Sequence, residues 1–306
     1  MPQHITVLDY DTEWITKYRK ERELISQILQ ENCLALWHIG STSVPGLAAK
    51  PIIDIMGAVR SLEQADAVAE RFADCGYECL GEFGMAGRRY YRKGGDERSH
   101  QIHLFQAEDW TTIERHLAFR DFLRTHAGER EAYARLKKEL ARKFPWDIEG
   151  YCDGKEAFVR TMEERALELF DGTWDKLYLA ARRVQYQRTL SPLVEAGSVA
   201  AALLSGNGNI HVGVCIDTAC SLGMCAERNA IASMITNGES SIRKIVAVQP
   251  DGRVCMPCGA CRELMRQLGA AAGETEILCD YETRSVIRLK ELLTEWWGRD
   301  RMKTGD

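Results

Sequence analysis

The chain lacks an excess of basic residues, since 40 lysines and arginines stand against 45 aspartates and glutamates and give a net charge of −5 at pH 7. Nucleic-acid-binding domains favour a basic balance, so we expect no nucleic-acid partner. The chain also has no apolar run close to the ~18 residues that a membrane helix needs. We therefore expect no membrane partner.

The opening residues, MPQHITVLDYDTEW, lack the charged leader and the apolar stretch that mark a signal peptide. We therefore expect a cytoplasmic protein, in which the 11 cysteines are reduced thiols and not disulfides. A length of 306 residues favours about two domains. A hydrophobic fraction of 45% is enough for ordinary globular cores.

The first half of the chain mixes helical and strand-like patterns. Apolar periodicity and turn residues predict helices over 14–31, 62–75 and most of 110–170, and strands over 34–39, 51–59, 88–93 and 100–106. The stretch from Phe170 to Thr173 is the expected hinge. We therefore assign the domains to residues 1–172 and 173–306.

The second half alternates strands and helices, which is typical of a sheet with helical crossovers. The pattern predicts helices over 174–188, 225–237, 259–268 and 289–297, and strands over 198–204, 209–216, 243–249 and 276–279. This arrangement puts two groups of cysteines at helix starts, a location that lowers the pKa of a thiol and favours a thiolate metal ligand.

Those cysteines belong to two short motifs, Cys225-Ala226-Glu227 and Pro257-Cys258-Gly259-Ala260-Cys261. Three thiolates can hold a zinc ion and leave its fourth position open for water. A carboxylate near the metal that does not ligate it can move protons between that water and a substrate. This combination is typical of zinc deaminases, so Cys225, Cys258 and Cys261 are the predicted ligands and Glu227 the predicted acid/base.

Two alternatives stay open for these thiols. A structural zinc site is closed by four ligands, and Cys255 or Cys220 could supply the fourth. Alternatively, Cys258 and Cys261 could form a redox dithiol, which would leave Cys225 and Glu227 without a role.

The second half resembles the small cytidine deaminases, including their blasticidin-S deaminase branch, in four segments: 208–216 (GNIHVGVCI), 225–231 (CAERNAI), 245–249 (IVAVQ) and 257–264 (PCGACREL). The resemblance implies an α/β/α sandwich, a zinc ion on the three cysteines and Glu227 as general acid/base. It also implies that Arg228 offsets the charge of the thiolates. Members of this family form tetramers with shared active sites, so we expect a homo-oligomer.

The chain departs from that family where the substrate sugar is held. Cytidine deaminases carry Asn-x-Glu-Asn after the second strand, and this chain has Cys215-Ile216-Asp217-Thr218. Cys215 is a weak hydrogen-bonding group, and Asp217 is one methylene shorter than glutamate. Asp217 could equally cap a turn. Cytidine, a modified cytosine nucleoside such as an antibiotic, and another aminated heterocycle all stay open as substrates.

The first half resembles the GrpB family at residues 38–55 (HIGSTSVPGLAAKPIIDI), 116–124 (HLAFRDFLR) and 151–159 (YCDGKEAFV). The resemblance implies a nucleotidyltransferase-like α/β fold, in which a Gly-Ser turn meets a nucleotide phosphate and strand carboxylates hold Mg²⁺. Glycine-rich turns present backbone N–H groups to phosphate. The candidate nucleotide-binding residues are Gly40, Ser41, Thr42, Lys50 and Asp54.

The carboxylates of a metal-dependent transferase are sparse in this half. Such a site needs two or three carboxylates around its metal ions, and Asp54 stands alone in its strand. The first domain could therefore transfer nucleotides with an unusual Asp/His site, or bind a nucleotide without turnover.

The leading hypothesis is a zinc-dependent hydrolase that deaminates a cytosine-type nucleoside or analogue and releases ammonia. The alternative is a nucleotidyltransferase or nucleotide-binding protein in which the deaminase-like domain serves as a binding module. The expected cofactors are Zn²⁺ and, in the first domain, Mg²⁺ with a nucleotide. The expected partner is a small nucleoside.

Overall fold

The computed structural model describes residues 4–299 and divides into two compact units at the Gly172–Thr173 bond. Both units mix helices with one β-sheet each, so the predicted α/β class is confirmed. Over the described range, every helix is too short or too polar to cross a membrane.

The first unit contains six helices and five strands within its described residues. The helices are α1 (Glu13–Leu29), α2 (Leu62–Ala67), α3 (Ala69–Asp74), α4 (Trp110–Thr125), α5 (Ala127–Lys143) and α6 (Ile148–Leu169). The strands are β1 (Cys33–Ile39), β2 (Ile53–Val59), β3 (Tyr77–Cys79), β4 (Arg88–Lys93) and β5 (His100–Gln106), and a 3₁₀ turn covers Ser41–Ser43.

The predicted elements of this unit are confirmed with two changes. The helix expected over 62–75 is interrupted at Val68, whose φ of −107° and ψ of 16° are not helical. The short strand β3 was not predicted, because three residues with one buried side chain give too little alternation to recognise.

The sheet of the first unit has the strand order β1-β2-β5-β4-β3. The pair β2–β5 is parallel and the other pairs are antiparallel. Alternation along β2 turns Ile53 and Ile55 into a core that α1 shares, and it turns Asp54 to the opposite face. In the register of the sheet, Asp54 lies between Ile39 of β1 and Gln101 of β5.

The second unit has four helices and seven strands within its described residues. The helices are α7 (Thr173–Val184), α8 (Ala226–Thr236), α9 (Gly259–Gln267) and α10 (Leu289–Leu292). The strands are β6 (Arg188–Ser191), β7 (Val194–Ser205), β8 (Ile210–Thr218), β9 (Ile242–Val248), β10 (Val254–Cys255), β11 (Glu276–Asp280) and β12 (Ser285–Arg288).

Strand β7 is the centre of this second sheet. It pairs with β8 along one edge and with β6 and β9 along the other, and the sheet continues through β11 to β12. Helices α8 and α9 share a core with Ala201, Leu203 and Ile245, while α7 contacts β7 and β9. The result is a layered α/β unit of the predicted kind.

Two helix predictions in this unit are wrong in length. The helix expected to reach residue 188 ends at Val184, because Arg188 pairs with Ala196 in the hairpin β6–β7. The helix expected over 289–297 ends at Leu292. Beyond it the chain turns back on α9, where the indole N–H groups of Trp296 and Trp297 each donate to Glu263 at 2.9 Å.

Candidate functional site

Two helix starts bring three cysteines together in the second unit. Cys225 is the N-cap residue of α8 and Cys258 is the N-cap residue of α9. Cys261 lies one turn into α9, with its side chain 0% exposed. Helix N-termini stabilise negative charge, so thiolates are favoured at these positions.

The spacing of the three sulfurs fits a tetrahedral zinc ion. The Cys258 Sγ lies 3.5 Å from the Sγ atoms of Cys225 and Cys261, and all three sulfurs are within 4.8 Å of one another. Sulfurs that each lie about 2.3 Å from a tetrahedral zinc are about 3.8 Å apart. The donor set therefore suits zinc with little movement.

The protein environment resists charge on most of these thiols when no cation compensates it. Burial and the nearby Glu227 carboxylate raise the pKa of the Cys261 thiol, and burial also raises the pKa of Cys225. Burial opposes ionisation of Cys258 as well, yet hydrogen bonds from backbone amides of Cys261 and Ala260 lower its pKa. A divalent cation would offset this charge and displace the protons.

Glu227 lies in the first turn of α8, with its side chain 6% exposed. Glu227 lines the same cavity as Cys225 and Cys258. Burial first, and the negative charge of Glu227 after it, raise the pKa of the Cys225, Cys255 and Cys261 thiols. Among the described residues, the group of potential ligands within 4.8 Å comprises the three sulfurs and not this carboxylate. Glu227 is thus placed next to the predicted metal position without joining the donor set.

Strand β8 sets the position of α8. An added Cβ at Gly213 would lie 2.3 Å from the Ala230 amide nitrogen and 2.6 Å from the Ala226 carbonyl oxygen, so glycine permits the close approach of helix to strand. Asn229 also donates from Nδ2 to the carbonyl oxygen of Val214 at 2.6 Å. These contacts fix the first turn of α8, which carries Glu227.

A cavity of about 530 Å³ opens beside the thiol cluster. Its lining includes Cys225, Cys258 and Glu227 together with Cys215 and Asp217. Pockets for small ligands measure about 300–1,000 Å³. A nucleoside-sized molecule therefore has room beside the predicted catalytic and substrate-binding residues.

Cys215 and Asp217 form a connected pair on β8. The Cys215 side chain is 7% exposed, and its sulfur lies 3.1 Å from the Ser198 Oγ and accepts from the Val199 N–H at 3.3 Å. The thiol donates to the Asp217 Oδ2 at 3.3 Å. Cys215 is thus held by protein groups, whereas Asp217 is exposed and faces the cavity.

The remaining candidates of this unit lie elsewhere. The Arg228 guanidinium donates to the Gly223 carbonyl oxygen at 3.2 Å, and Arg228 is not part of the cavity lining. Cys220 lines the cavity and Cys255 lies near Glu227, yet both stay outside the three-sulfur cluster.

All five candidate residues of the first unit line one cavity of about 300 Å³. They are Gly40, Ser41, Thr42, Lys50 and Asp54. Gly40 has a φ of +68°, and an added Cβ there would lie 2.3 Å from the Asp54 Oδ2. Glycine thus allows both the turn and the close approach to the carboxylate. Burial raises the pKa of Asp54 to about 6.

Sequence reasoning missed the cations that helices contribute to this cavity. Lys137 of α5 and Lys155 of α6 line it together with Lys50. The signal for Lys137 was available, because it follows Tyr133 by four residues and so shares the apolar face of α5. Nothing local in the sequence distinguishes Lys155 from a solvated helix lysine.

The side chains that line this cavity give little support to the Mg²⁺ site expected in the first domain. Asp54 and Glu163 are the carboxylates of the lining, and Glu163 lies 3.6 Å from Arg115. His103 lines the same cavity, but Mg²⁺ takes oxygen ligands and not the ring nitrogen of an imidazole. Within residues 4–299, a group of three potential metal ligands occurs at the cysteines and not here.

Comparison with known proteins divides the chain at the same place. Residues 4–165 match the family model described as "GrpB protein". The "UPF0157 protein YqkA" of Bacillus subtilis (strain 168) is 41% identical over 162 residues, which cover 53% of this chain and 47% of that protein. This chain therefore spans about half the length of that relative. The crystal structure of the conserved protein GrpB from Enterococcus faecalis is 45% identical, with a TM-score of 0.52, and covers 53% of this chain and 98% of that one.

Residues 174–273 match the model "Cytidine and deoxycytidylate deaminase zinc-binding region". Cytidine deaminase from Mycobacterium tuberculosis is 27% identical over 42% of this chain and 99% of that chain, with a TM-score of 0.35. The zinc-binding character of the second unit thus has support from both the family model and the cysteine cluster.

Proposed function

Because the chain belongs to the GrpB family through residues 4–165 and carries a cytidine deaminase zinc-binding region in residues 174–273, we propose that it is a zinc-dependent deaminase of a cytosine-type nucleoside or analogue. The observation that carries this proposal is the juxtaposition of three sulfurs with the buried carboxylate of Glu227 beside a nucleoside-sized cavity.

Cys225, Cys258 and Cys261 are the residues that would hold the zinc ion. When bound there, zinc supplies a Lewis acid that makes water acidic enough to attack at neutral pH. Three protein ligands leave a tetrahedral ion with one position for water or substrate, which is the arrangement of catalytic and not of structural zinc sites.

Glu227 is the residue that moves protons in the proposed reaction. Its carboxylate takes a proton from the attacking water and delivers it to the ring nitrogen. It then takes the remaining proton from the hydroxyl group added to the ring carbon and passes it to the departing amine, so that the carbonyl forms as ammonia leaves. A positioned general acid/base contributes about 10²–10⁴-fold to such a reaction. Burial beside the cluster keeps bulk water away from the carboxylate and holds it at the place where the proton is exchanged.

A carboxylate in the cavity lining supports a nucleoside as substrate. Asp217 lines the cavity, and the thiol of its partner Cys215 donates to the Asp217 Oδ2 at 3.3 Å. The other oxygen is available to a sugar hydroxyl. Because the usual glutamate is replaced by a shorter residue, a modified sugar such as that of a cytosine-nucleoside antibiotic is as suitable a substrate as ribose.

Replacing Asp217 with Asn tests this sugar contact. A hydrogen bond to a charged group contributes about 1.5–3 kcal/mol, so we expect kcat/KM for the nucleoside to fall about 10- to 100-fold. Free cytosine has no sugar, and its kcat/KM should stay the same. The control is Asp251→Asn, which changes an exposed aspartate outside the cavity lining. An equal loss with both substrates would contradict the assignment.

The function itself is tested by an ammonia-release screen of the purified, zinc-loaded protein. Cytidine, deoxycytidine, free cytosine, blasticidin S, adenosine and guanine are compared, and mass spectrometry of the product detects the exchange of an amine for a carbonyl oxygen. We expect release from at least one cytosine nucleoside or analogue. Binding of such a compound without any ammonia would favour a sequestration or binding module instead.

A further inference from the structure

The cavity of the first unit collects three lysines from three separate segments of the chain. Lys50 comes from the loop before β2, Lys137 from α5 and Lys155 from α6. Burial lowers the pKa of Lys50 and of Lys137, and repulsion by the charge of Lys155 lowers both further. Such a cluster is unfavourable unless something negative binds to it.

Lys137 is the most unusual of the three. Its side chain is 2% exposed, and its Nζ donates to the Ser41 Oγ at 2.8 Å and lies 4.4 Å from the centre of the Tyr133 ring. Burial lowers its pKa to about 7. Buried charges in proteins are normally paired with an opposite charge. Among the described residues, Lys137 directly contacts a hydroxyl and an aromatic face, and Asp54 attracts it without forming an ion pair.

The other two lysines contact an aromatic ring and not a carboxylate. The Nζ atoms of Lys50 and Lys155 lie 5.3 Å and 5.2 Å from the centre of the Tyr151 ring. Across residues 4–299, no carboxylate forms an ion pair with any of the three cavity lysines. Lys138, by contrast, has its Nζ 2.6 Å from an Asp9 oxygen. The cavity lysines therefore keep hydrogen-bonding capacity toward the cavity.

The two carboxylates of the cavity lining do not neutralise the three lysines. The Glu163 Oε2 lies 3.6 Å from the Arg115 Nη1. When the Gln101 side-chain amide is oriented with its nitrogen toward Asp54, that nitrogen donates to the Asp54 Oδ1 at 3.1 Å. With Asp54 counted against one lysine, positive charge remains for a ligand, and a bound anion would favour the charged form of Lys137.

We propose that this cavity binds the phosphate group of a small molecule without a divalent cation, and that Lys50, Lys137 and Lys155 provide the positive charge. Ser41, whose Oγ accepts a hydrogen bond from Lys137, lines the cavity as well and offers its hydroxyl to the phosphate. A nucleotidyltransferase-like fold would use Mg²⁺ for this purpose. In this cavity Glu163 already faces Arg115, and the three lysines repel a divalent cation, so the lysines are the better partners for a phosphate. The proposal does not depend on deamination by the second unit.

The lining also suits an organic part of the ligand. Phe119, Tyr133 and Tyr151 border the same cavity as the lysines. Its volume of about 300 Å³ is at the lower end of the range for small-ligand pockets. A phosphate ester of modest size, such as a nucleoside monophosphate, fits both the charge and the aromatic walls.

Isothermal titration calorimetry of the full, zinc-loaded chain in magnesium-free buffer tests this proposal, with inorganic pyrophosphate and AMP as the probes. We expect AMP to bind in this buffer with about the same affinity as in Mg²⁺ buffer. Tighter binding of AMP assigns the ligand to nucleotides, and tighter binding of pyrophosphate assigns it to inorganic phosphates. Absence of binding by both probes, or binding that requires Mg²⁺, overturns the proposal.

The residue test uses Lys137→Met with Lys138→Met as its matched control. Methionine keeps the length of the side chain and removes the charge, so we expect the affinity for the better probe to fall at least about tenfold. Lys138 is the next residue of the same helix and lies outside the cavity lining, so its variant should bind like the wild type.

Lys155→Met provides a second variant at a less buried position, and thermal unfolding of each protein shows whether it is folded. We expect the same direction of effect for both cavity lysines. Wild-type affinity in folded Lys137→Met and Lys155→Met proteins would contradict the proposed role of the lysines.

Discussion

The variant Glu227→Gln is expected to lose ammonia release by about 10²–10⁴-fold relative to the wild type, because it removes the proposed proton carrier. Glutamine has nearly the same size and can hydrogen bond, but it cannot accept the proton of the attacking water at neutral pH. Since the Glu227 carboxylate lies outside the three-sulfur cluster, zinc content should stay at the wild-type value.

Steady-state ammonia release and zinc analysis of the same preparation check this expectation. Glu295→Gln is the control, because it alters an exposed carboxylate of the same unit. The lower rate should appear in kcat with nucleoside binding retained, since the lost interaction acts on the reacting atoms. Wild-type turnover by zinc-loaded Glu227→Gln would contradict the proposed acid/base role.

The variant Cys261→Ser is expected to lose most of its bound zinc and its ammonia release together. Cys261 is fully buried between the other thiols and the core, so no nearby solvent ligand can take its place. A serine hydroxyl remains protonated at neutral pH and is a poor substitute for a thiolate. We also expect a lower melting temperature, because metal binding in such a site contributes to folding.

The matched control for this experiment is Cys255→Ser. Cys255 is a neighbour of Glu227 but lies outside the three-sulfur cluster, and burial raises the pKa of its thiol to about 11. Zinc analysis and ammonia release should be close to wild type in this variant. If Cys255→Ser lost zinc as completely as Cys261→Ser, a closed four-thiolate site would be the better account.

The placement of each cysteine at a helix start could be predicted because it depends on local sequence. Cys225 and Cys258 were expected at helix starts, and both are N-cap residues, so two short motifs carry most of the information about their placement. The number of residues between the two motifs does not by itself predict that they lie close together in the fold. It depends on α8 and α9 lying on one face of the second sheet, a tertiary arrangement that the family resemblance supplied.

The first-unit cavity shows where sequence reasoning stops. Gly40 directly follows β1 and Asp54 lies in the neighbouring strand β2, and the two were predicted together, but Lys137 is 96 residues from its partner Ser41. A lysine on a helix is usually solvated, whereas Lys137 is buried and contacts Ser41. The edge strands β6 and β12 were missed for the opposite reason, since their mostly exposed residues lack the alternation of buried and exposed positions that predicts a strand.

The most direct test of the proposed catalytic centre is X-ray absorption spectroscopy at the zinc edge of the metal-loaded protein. We expect three sulfur neighbours at about 2.3 Å and one oxygen neighbour, as in a catalytic zinc site. The same spectrum is expected for Glu227→Gln, because that side chain does not ligate the metal. Four sulfur neighbours in the wild-type protein would contradict the account, since they would leave no position for the attacking water.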